Sequence, residues 1–302
     1  MKISHEMPLW MMKEGYDEAL NDYSYALVHL FKESEEYRQH FVDALVNGRE
    51  VILDNSIFEL EEAFEADAFI EQAESLVADA NLWFPEKVER GQLVIVIPDV
   101  LDDRAKTYKQ ADEFFRKLVD KNSHLLDDPY ITWMAVAQGE TMQELEQSFI
   151  ELQLLLHSRV YRTNAAQKTR IGISFNCKAY ESRRSQSGLT KLQLWSSGRT
   201  DFIHYLTHVQ KVVNTPIHLL GCSVPQEFRE YINNPHIVSI DTSNPIVHGL
   251  KGIRYKSDGT LRSKESIKLA DMMFIKTNYS ALPDILYNCR LFRDNTQKES
   301  LV

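Results

Sequence analysis

The chain contains six short apolar runs, and each of them ends on a polar or glycine residue. Runs of this length that are hydrophobic at successive positions are typical of parallel strands buried on both faces. Helix-like spacing of apolar residues fills the segments between them. The alternation predicts an α/β protein built on a parallel sheet. The six runs are Val51–Asp54, Val94–Asp99, Trp133–Gln138, Ile171–Ser174, Ile217–Gly221 and Ile237–Asp241.

Two weaker segments raise the predicted number of strands to eight. Tyr25–Leu30 precedes the six runs and Met272–Ile275 follows them. Thr141 and Glu144 have the spacing of a capping box and mark the start of one helix. The predicted helices are Glu35–Val46, Phe58–Ala80, Arg104–Val119, Thr141–Leu156, Asp201–Val213, Pro225–Ile232 and Leu282–Cys289.

Eight strands that alternate with helices predict a single-domain (β/α)8 TIM barrel over residues 1–302. An open doubly wound sheet is the structural alternative, because periodicity alone does not show whether a sheet closes. At 43% hydrophobic and 26% charged residues, the composition is that of a soluble globular protein. No apolar run resembles a signal peptide or a membrane span, which predicts a cytoplasmic protein with no membrane partner.

The cysteines and the glycine-rich loops bear on cofactors. Cys177, Cys222 and Cys289 lie far apart in sequence and form no CxxC pair, so we expect free thiols and no structural zinc site. No GxGxxG or GxxxxGK[ST] motif follows a strand. His204 and His208 have helical spacing but lack the glutamate of an HExxH motif. The sequence therefore predicts neither a metal nor an organic cofactor.

Charge is distributed unevenly along the chain, whose formal net charge is −10. Residues 1–100 hold 22 acidic against 7 basic side chains, whereas His157–Arg199 holds nine basic side chains and one acid. Basic runs are often solvated loops, but this one also fits a polyanion footprint. We expect a basic insertion at about 176–200 at the mouth of the barrel. The predicted nucleic-acid contacts are Lys178, Arg183, Arg184, Lys191, Arg199, Lys251 and Arg254.

Polar residues at the strand ends are the candidate site, because catalytic groups concentrate at the carboxyl ends of barrel strands. Considered singly, Asp54 or Asp99 could be a helix cap, and Gln138-Gly139 could be a turn. Their recurrence at the same structural point favours a shared site. The candidates are Asp54, Asp99, Gln138, Gly172 and Asp241.

These residues also resemble a family. Asp54-Asn-Ser-Ile-Phe58-Glu59 resembles the Asp-Ser-Gly-Gly-Phe-Gln element of the tRNA-guanine transglycosylases. Asp99, Gln138-Gly139 and Ile171-Gly172-Ile173 resemble, in order, its base-binding Asp, its Val-Gln-Gly motif and its Gly-Gly-Leu turn. His218-Leu-Leu-Gly221 and Ser239-Ile-Asp241 are similar to its Tyr-Leu-Met-Gly element and its nucleophile segment. The resemblance covers roughly residues 50–250.

The chemistry of guanine exchange suits this set of residues. Asp99 could accept from the N1–H and N2–H groups of guanine, while the Gln138 amide and a backbone N–H near Gly172 donate to O6. The resemblance adds Gly139 and Phe58 to the base-binding residues. Asp241 is the candidate nucleophile of a double displacement that retains configuration, and Asp54 the candidate proton carrier.

The chain departs from the tRNA enzymes in two respects. It lacks their zinc subdomain, and Ser56-Ile57 replaces the Gly-Gly of their second-strand motif. It therefore resembles the compact phage and bacterial branch that inserts 7-deazaguanines such as preQ0 into DNA, so DNA is favoured over tRNA as the partner.

Two other functions stay open. One is a TIM-barrel hydrolase or lyase acting on a small phosphorylated molecule, and the other is a nucleic-acid-binding module without catalysis.

Overall fold

Eight strands form one sheet in this computed structural model, which describes residues 1–60, 65–82, 90–121, 123–160, 169–183, 188–222, 224–257 and 267–297. The order of the strands in the sheet is β1-β8-β7-β6-β5-β4-β3-β2. The strands are β1 (Lys2–Ser4), β2 (Ser24–Leu27), β3 (Val51–Asp54), β4 (Leu93–Val96), β5 (Ile131–Ala137), β6 (Thr169–Ser174), β7 (Ile217–Leu220) and β8 (Ile237–Asp241).

The sheet is parallel, and neighbours in the sheet follow the order of the chain, except that β1 pairs with β8. Helices lie between successive strands in sequence. The predicted (β/α)8 class is confirmed. The α-helices are α1 (Leu9–Lys13), α2 (Tyr16–Leu20), α3 (Glu35–Val46), α4 (Ile57–Leu60), α5 (Ala66–Leu82), α6 (Arg104–Lys121), α7 (Ser123–Asp127), α8 (Met142–Val160), α9 (Lys191–His204), α10 (Asn244–Leu250), α11 (Leu269–Met273) and α12 (Leu282–Gln297).

Side-chain caps fix the starts of several helices. The Ser34 hydroxyl accepts a hydrogen bond from the Tyr37 backbone N–H at the start of α3. Thr141 and Glu144 form the predicted capping box before α8, since each accepts a bond from the other's backbone N–H. Three 3-10 segments, Val28–Lys32, Lys178–Arg183 and Pro225–Tyr231, and a π-helical turn, Tyr205–Gln210, complete the described elements.

One strand was not predicted, and one predicted strand is wrong. The segment that pairs beside β8 is Lys2–Ser4, in register Lys2 with Ser239 and Ser4 with Asp241, and the sequence prediction omitted it. Three residues are too few to show a period of two. Met272–Ile275 is not a strand. Met272 lies in α11, and its backbone N–H donates a helical hydrogen bond to the Lys268 carbonyl. Met272 and Met273 are buried in this segment, whereas Phe274 is exposed.

The predicted start of the helix after β6 is also corrected. Residues from Lys191 onward belong to α9, because the Thr190 hydroxyl and the Gln193 side chain form a capping box there. The predicted helix start at Asp201 therefore lies in the last turn of α9, which ends at His204. Phe58–Ala80 is not one helix either: α4 ends at Leu60 and α5 begins at Ala66.

The chain divides into two compact units. The first comprises Met1–Asp22, Ile173–Val213 and Ile217–Val302, and the second comprises Tyr23–Gly172 and Asn214–Pro216. In the second unit, Trp133 of β5 packs edge-on against Phe114 and Phe115 of α6 with ring centroids 6.1 and 5.7 Å apart. In the first unit, Phe292 of α12 packs against Phe228 at 5.3 Å. Each unit therefore has aromatic side chains in its own core.

Candidate functional site

Asp99 is the centre of a buried polar cluster in the second unit. Its carboxylate accepts hydrogen bonds from two side-chain amides, Asn55 Nδ2 to Oδ1 at 2.8 Å and Gln138 Nε2 to Oδ2 at 2.7 Å. Asn55 also donates to the Ile97 carbonyl at 2.9 Å, which ties the loop after β3 to the segment after β4. We call Asp54, Asn55, Asp99 and Gln138 the Asp99 cluster. It contains three of the predicted site residues and Asn55, which the sequence analysis did not select.

Burial shifts the ionisation of Asp99. The side chain is almost completely buried, and loss of hydration raises its pKa from the ordinary 3.8 to about 6, although the two amide bonds act in the opposite direction. At neutral pH the group is still mainly ionised. It is therefore a buried anion whose two oxygens each accept one amide hydrogen.

Gln138 is held from both ends. Its Nε2 group donates to Asp99, and its Oε1 atom accepts from the Asp102 backbone N–H at 3.0 Å. This pairing fixes which end of the amide is nitrogen. A Cβ atom at Gly139 would lie 2.7 Å from the Leu145 nitrogen, so only glycine fits where the chain passes the start of α8. A structural requirement thus accounts for Gly139.

Asp54 is the last residue of β3 and is also hydrogen-bonded. The Tyr25 hydroxyl donates to Oδ2 at 2.8 Å, and the Ser56 backbone N–H donates to Oδ1 at 2.7 Å. Ser56 has φ of 62°, a conformation that favours glycine. In the motif that the sequence resembles, a glycine stands at this position.

Asp241 has a different set of partners, all in the first unit. Its Oδ1 atom lies 2.9 Å from His218 Nε2, and its Oδ2 atom accepts from the Gly221 N–H at 3.3 Å. His218 Nδ1 lies 2.8 Å from the Ser239 hydroxyl. We call these four residues the Asp241 cluster. When His218 is neutral and its Nε2–H donates to Asp241, the Ser239 hydroxyl donates to Nδ1, which selects that tautomer.

Strand β1 adds polar residues beside Asp241. Ser4 is paired with Asp241 in the register of β1 and β8, so the two side chains share a face of the sheet. Glu6 is buried two residues further on. His5, between them, contacts the Thr242 carbonyl through Nδ1 at 3.3 Å, and burial lowers its pKa to about 4, which keeps it neutral. The sequence analysis missed these residues because it did not predict β1.

No protein-family model matches the chain, and no curated protein matches it significantly. The family resemblance stays a prediction carried by its motifs. None of the helices in the described ranges is both long and apolar enough to cross a lipid bilayer.

Two predicted base-binding residues remain to be placed. Gly172 lies inside β6, two residues before the strand ends at Ser174, and not at its carboxyl end as expected. Phe58 has its backbone in α4, and its side chain lies outside the described part of the structure.

The predicted nucleic-acid contacts separate into four groups, of which the last is Arg199 alone. Lys178 and Lys251 are exposed. Lys191 and Arg254 are about half exposed and pair with acidic side chains, Lys191 Nζ with Glu181 at 2.8 Å and Arg254 with Asp284. The Lys191 ammonium also lies 4.5 Å from the centre of the Trp195 ring. Arg184 and the side chain of Arg183 lie outside the described residues.

Arg199 is the clear error among these predictions. Its side chain is completely buried, and its Nε donates to Glu227 Oε1 at 2.6 Å. Burial disfavours the charged guanidinium, but Glu227 outweighs that effect and raises the pKa of Arg199. The side chain is not available to a polyanion, because its donors already face the protein interior.

Proposed function

We propose that this protein is a base-exchange transglycosylase that replaces guanine in a polynucleotide with a 7-deazaguanine such as preQ0. DNA is the favoured polynucleotide, on the resemblance to the compact branch of the family. The observation that carries the proposal is the Asp99 carboxylate, buried and oriented by the Asn55 and Gln138 amides. A buried anion aligned in this way suits a ligand that presents two adjacent N–H donors.

The count of hydrogen-bonding positions supports guanine. Each carboxylate oxygen has two lone pairs, so the two amide bonds and the interaction with the Asp99 backbone N–H do not fill all of the acceptor positions of the carboxylate. N1–H and N2–H of guanine would donate to the carboxylate. Gln138 Nε2 carries a second hydrogen beyond the one it gives to Asp99, and that hydrogen would donate to O6.

Asp241 is the proposed nucleophile. Attack of its carboxylate oxygen on the anomeric carbon breaks the glycosidic bond, and the electron pair of that bond leaves with guanine. Guanine takes a proton from Asp54, and the incoming base returns a proton to Asp54 when its ring nitrogen displaces Asp241. His218 and the Gly221 N–H would orient the nucleophile through their hydrogen bonds.

Polynucleotide binding would use the exposed cations among those predicted. Lys178 and Lys251 are the best placed, because they are exposed on the surface. Lys191 and Arg254 would exchange carboxylate partners for phosphates. Arg199 has no part in this contact.

The test is exchange of labelled guanine. Guanine-labelled DNA and tRNA are incubated separately with the protein and unlabelled preQ0, and release of label is measured. We expect release from DNA by the wild type, loss of release in Asp241→Asn, and normal release in Asp43→Asn, a control on the exposed face of α3.

Trapping the covalent intermediate completes the test. Denaturation of the wild type during turnover should leave a protein–DNA adduct whose peptide map places the bond on Asp241. Full turnover in Asp241→Asn would refute the double displacement, and no release from either polynucleotide would refute the exchange.

A second function has one observation in its favour. The hydrogen-bonded His218–Asp241 pair would serve as a proton-transfer dyad in a hydrolase or lyase of a small phosphorylated substrate. The burial of Arg199 removes one cation from the predicted polyanion footprint. Phosphorylated metabolites consumed by the wild type but not by His218→Asn, together with no base exchange, would favour it.

A further inference from the structure

Arg199 donates hydrogen bonds to the backbone at the end of β7. Its Nη1 group donates to the Leu220 carbonyl at 3.0 Å and to the Ile173 carbonyl at 3.3 Å, and its Nη2 group donates to the Gly221 carbonyl at 3.0 Å. One planar guanidinium therefore binds the Leu220 and Gly221 carbonyls, which are consecutive along the backbone. The rigid fork of N–H donors in the guanidinium allows one side chain to bind several carbonyls at once.

The guanidinium is itself held in place. Glu227 accepts from Arg199 Nε, and the Tyr231 hydroxyl donates to the same Glu227 oxygen at 2.8 Å. The Phe175 ring lies 5.0 Å from the guanidinium carbon. Burying an ion pair has a large desolvation cost, and well-packed apolar side chains often serve stability as well. A role beyond stability would explain why this position carries a charge.

The peptide group that Arg199 binds is also the one that donates a hydrogen bond to Asp241. The Leu220 carbonyl and the Gly221 N–H belong to the same peptide group, and that N–H donates to Asp241 Oδ2. A donor on the carbonyl polarises the peptide and strengthens the N–H as a donor. Gly221 has φ of 69°, which turns the chain so that its own carbonyl also reaches Arg199.

We propose that Arg199 is a positioning residue for Asp241, acting through the Leu220–Gly221 peptide. It orients and polarises the N–H that holds one oxygen of the carboxylate, while His218 holds the other. The inference rests on the proposed role of Asp241 as the nucleophile. The arrangement itself is a physical claim that can be tested without any turnover.

The first measurement observes the peptide directly. Leu220-Gly221 is the only Leu-Gly step in the sequence, so carbonyl-13C leucine combined with 15N glycine gives one amide NMR signal for this peptide. We expect that signal to shift in Asp241→Asn, because the carboxylate that accepts this N–H is replaced by an amide. In Arg199→Lys, which keeps a positive charge but loses the fork, we expect the signal to shift as well.

A matched control distinguishes the effect of losing the Arg199 hydrogen bonds to the backbone from the effect of disrupting any buried ion pair. Arg170 pairs with Glu50 at 2.7 Å, and both side chains are largely buried. Arg170→Lys should leave the Leu220–Gly221 signal unchanged. If Arg199→Lys does not fold, Glu227→Gln removes the charge that holds the guanidinium and should shift the signal in the same direction.

The second measurement is exchange kinetics. Arg199→Lys should lower kcat by about 10-fold or more while KM for the free base stays within about twofold, because the base contacts are elsewhere. An unmoved NMR signal, or a moved signal with unchanged kcat, would overturn the proposal. If the wild type catalyses no exchange, the function fails, and the NMR signal still decides whether Arg199 orients the peptide at Asp241.

Discussion

Replacing Asp99 by asparagine should change how the stability of the protein depends on pH. Burial raises the pKa of Asp99 in the folded state from 3.8 to about 6. Between these two values the folded state holds a proton that the unfolded state has released. The free energy of unfolding contributed by this group therefore falls as pH rises through that window, and above about pH 6 the loss is complete.

The magnitude follows from the two pKa values. Each unit of difference corresponds to about 1.4 kcal/mol, so an ionised Asp99 destabilises the fold by about 3 kcal/mol at neutral pH relative to its protonated form. About 2 kcal/mol of this change should appear between about pH 4.5 and about pH 7.5. Asparagine removes the titration. It also places an NH2 group against Asn55 or Gln138, but that penalty does not vary with pH.

Urea unfolding of both proteins across this pH range measures the effect. The difference in free energy of unfolding, Asp99→Asn minus wild type, should rise by about 2 kcal/mol towards higher pH. Taking the difference cancels the titration of all other carboxylates. A difference that is constant with pH would show that Asp99 titrates near its ordinary value and is not the desolvated anion on which the proposed base recognition depends.

Three further outcomes are expected. Guanine binding, measured by calorimetry, should weaken about tenfold between about pH 7 and about pH 5, since only ionised Asp99 accepts both donors; a flat profile would contradict this. Ser56→Gly should raise the free energy of unfolding by about 1 kcal/mol by relieving a φ of 62°, whereas Ser56→Ala, which keeps the strain, should not. Neutralising Lys178 and Lys251 together should flatten the salt dependence of DNA binding, and an unchanged slope would exclude both as phosphate contacts.

Local patterns predicted the elements that local interactions decide. Helix α3 begins and ends at the predicted residues because Ser34 caps it and acidic side chains occupy its first turn. The strands that end near Asp54 and Asp241 were also predicted, since buried runs of this kind differ clearly from their neighbours.

Long-range partners explain the errors. Arg199 was counted as a surface charge because Glu227, 28 residues later, and three backbone carbonyls are brought to it only by the fold. Strand β1 is stabilised by pairing with β8 at the other end of the chain, which no local window contains.

The Asp241 cluster could have been extended from sequence by one signal. Ser239 and Asp241 are two positions apart in β8 and share one face of that strand, and Ser4 of β1 is paired with Asp241. His218 interrupts an apolar run in the neighbouring strand. The hydrogen bonds among them could not be predicted, because they depend on the strand register.

The two amide hydrogens of Asn55 determine which substitutions position 55 would accept in a mutational library. One hydrogen goes to the Ile97 carbonyl and the other to the Asp99 carboxylate. Aspartate offers no hydrogen and would add a second buried anion, whereas serine offers only one. A library randomised at position 55 and sorted for folding alone should admit small neutral side chains. Sorting the same library for guanine binding should return it almost entirely to asparagine, so the two enrichment profiles would separate selection on stability from selection on recognition at one codon.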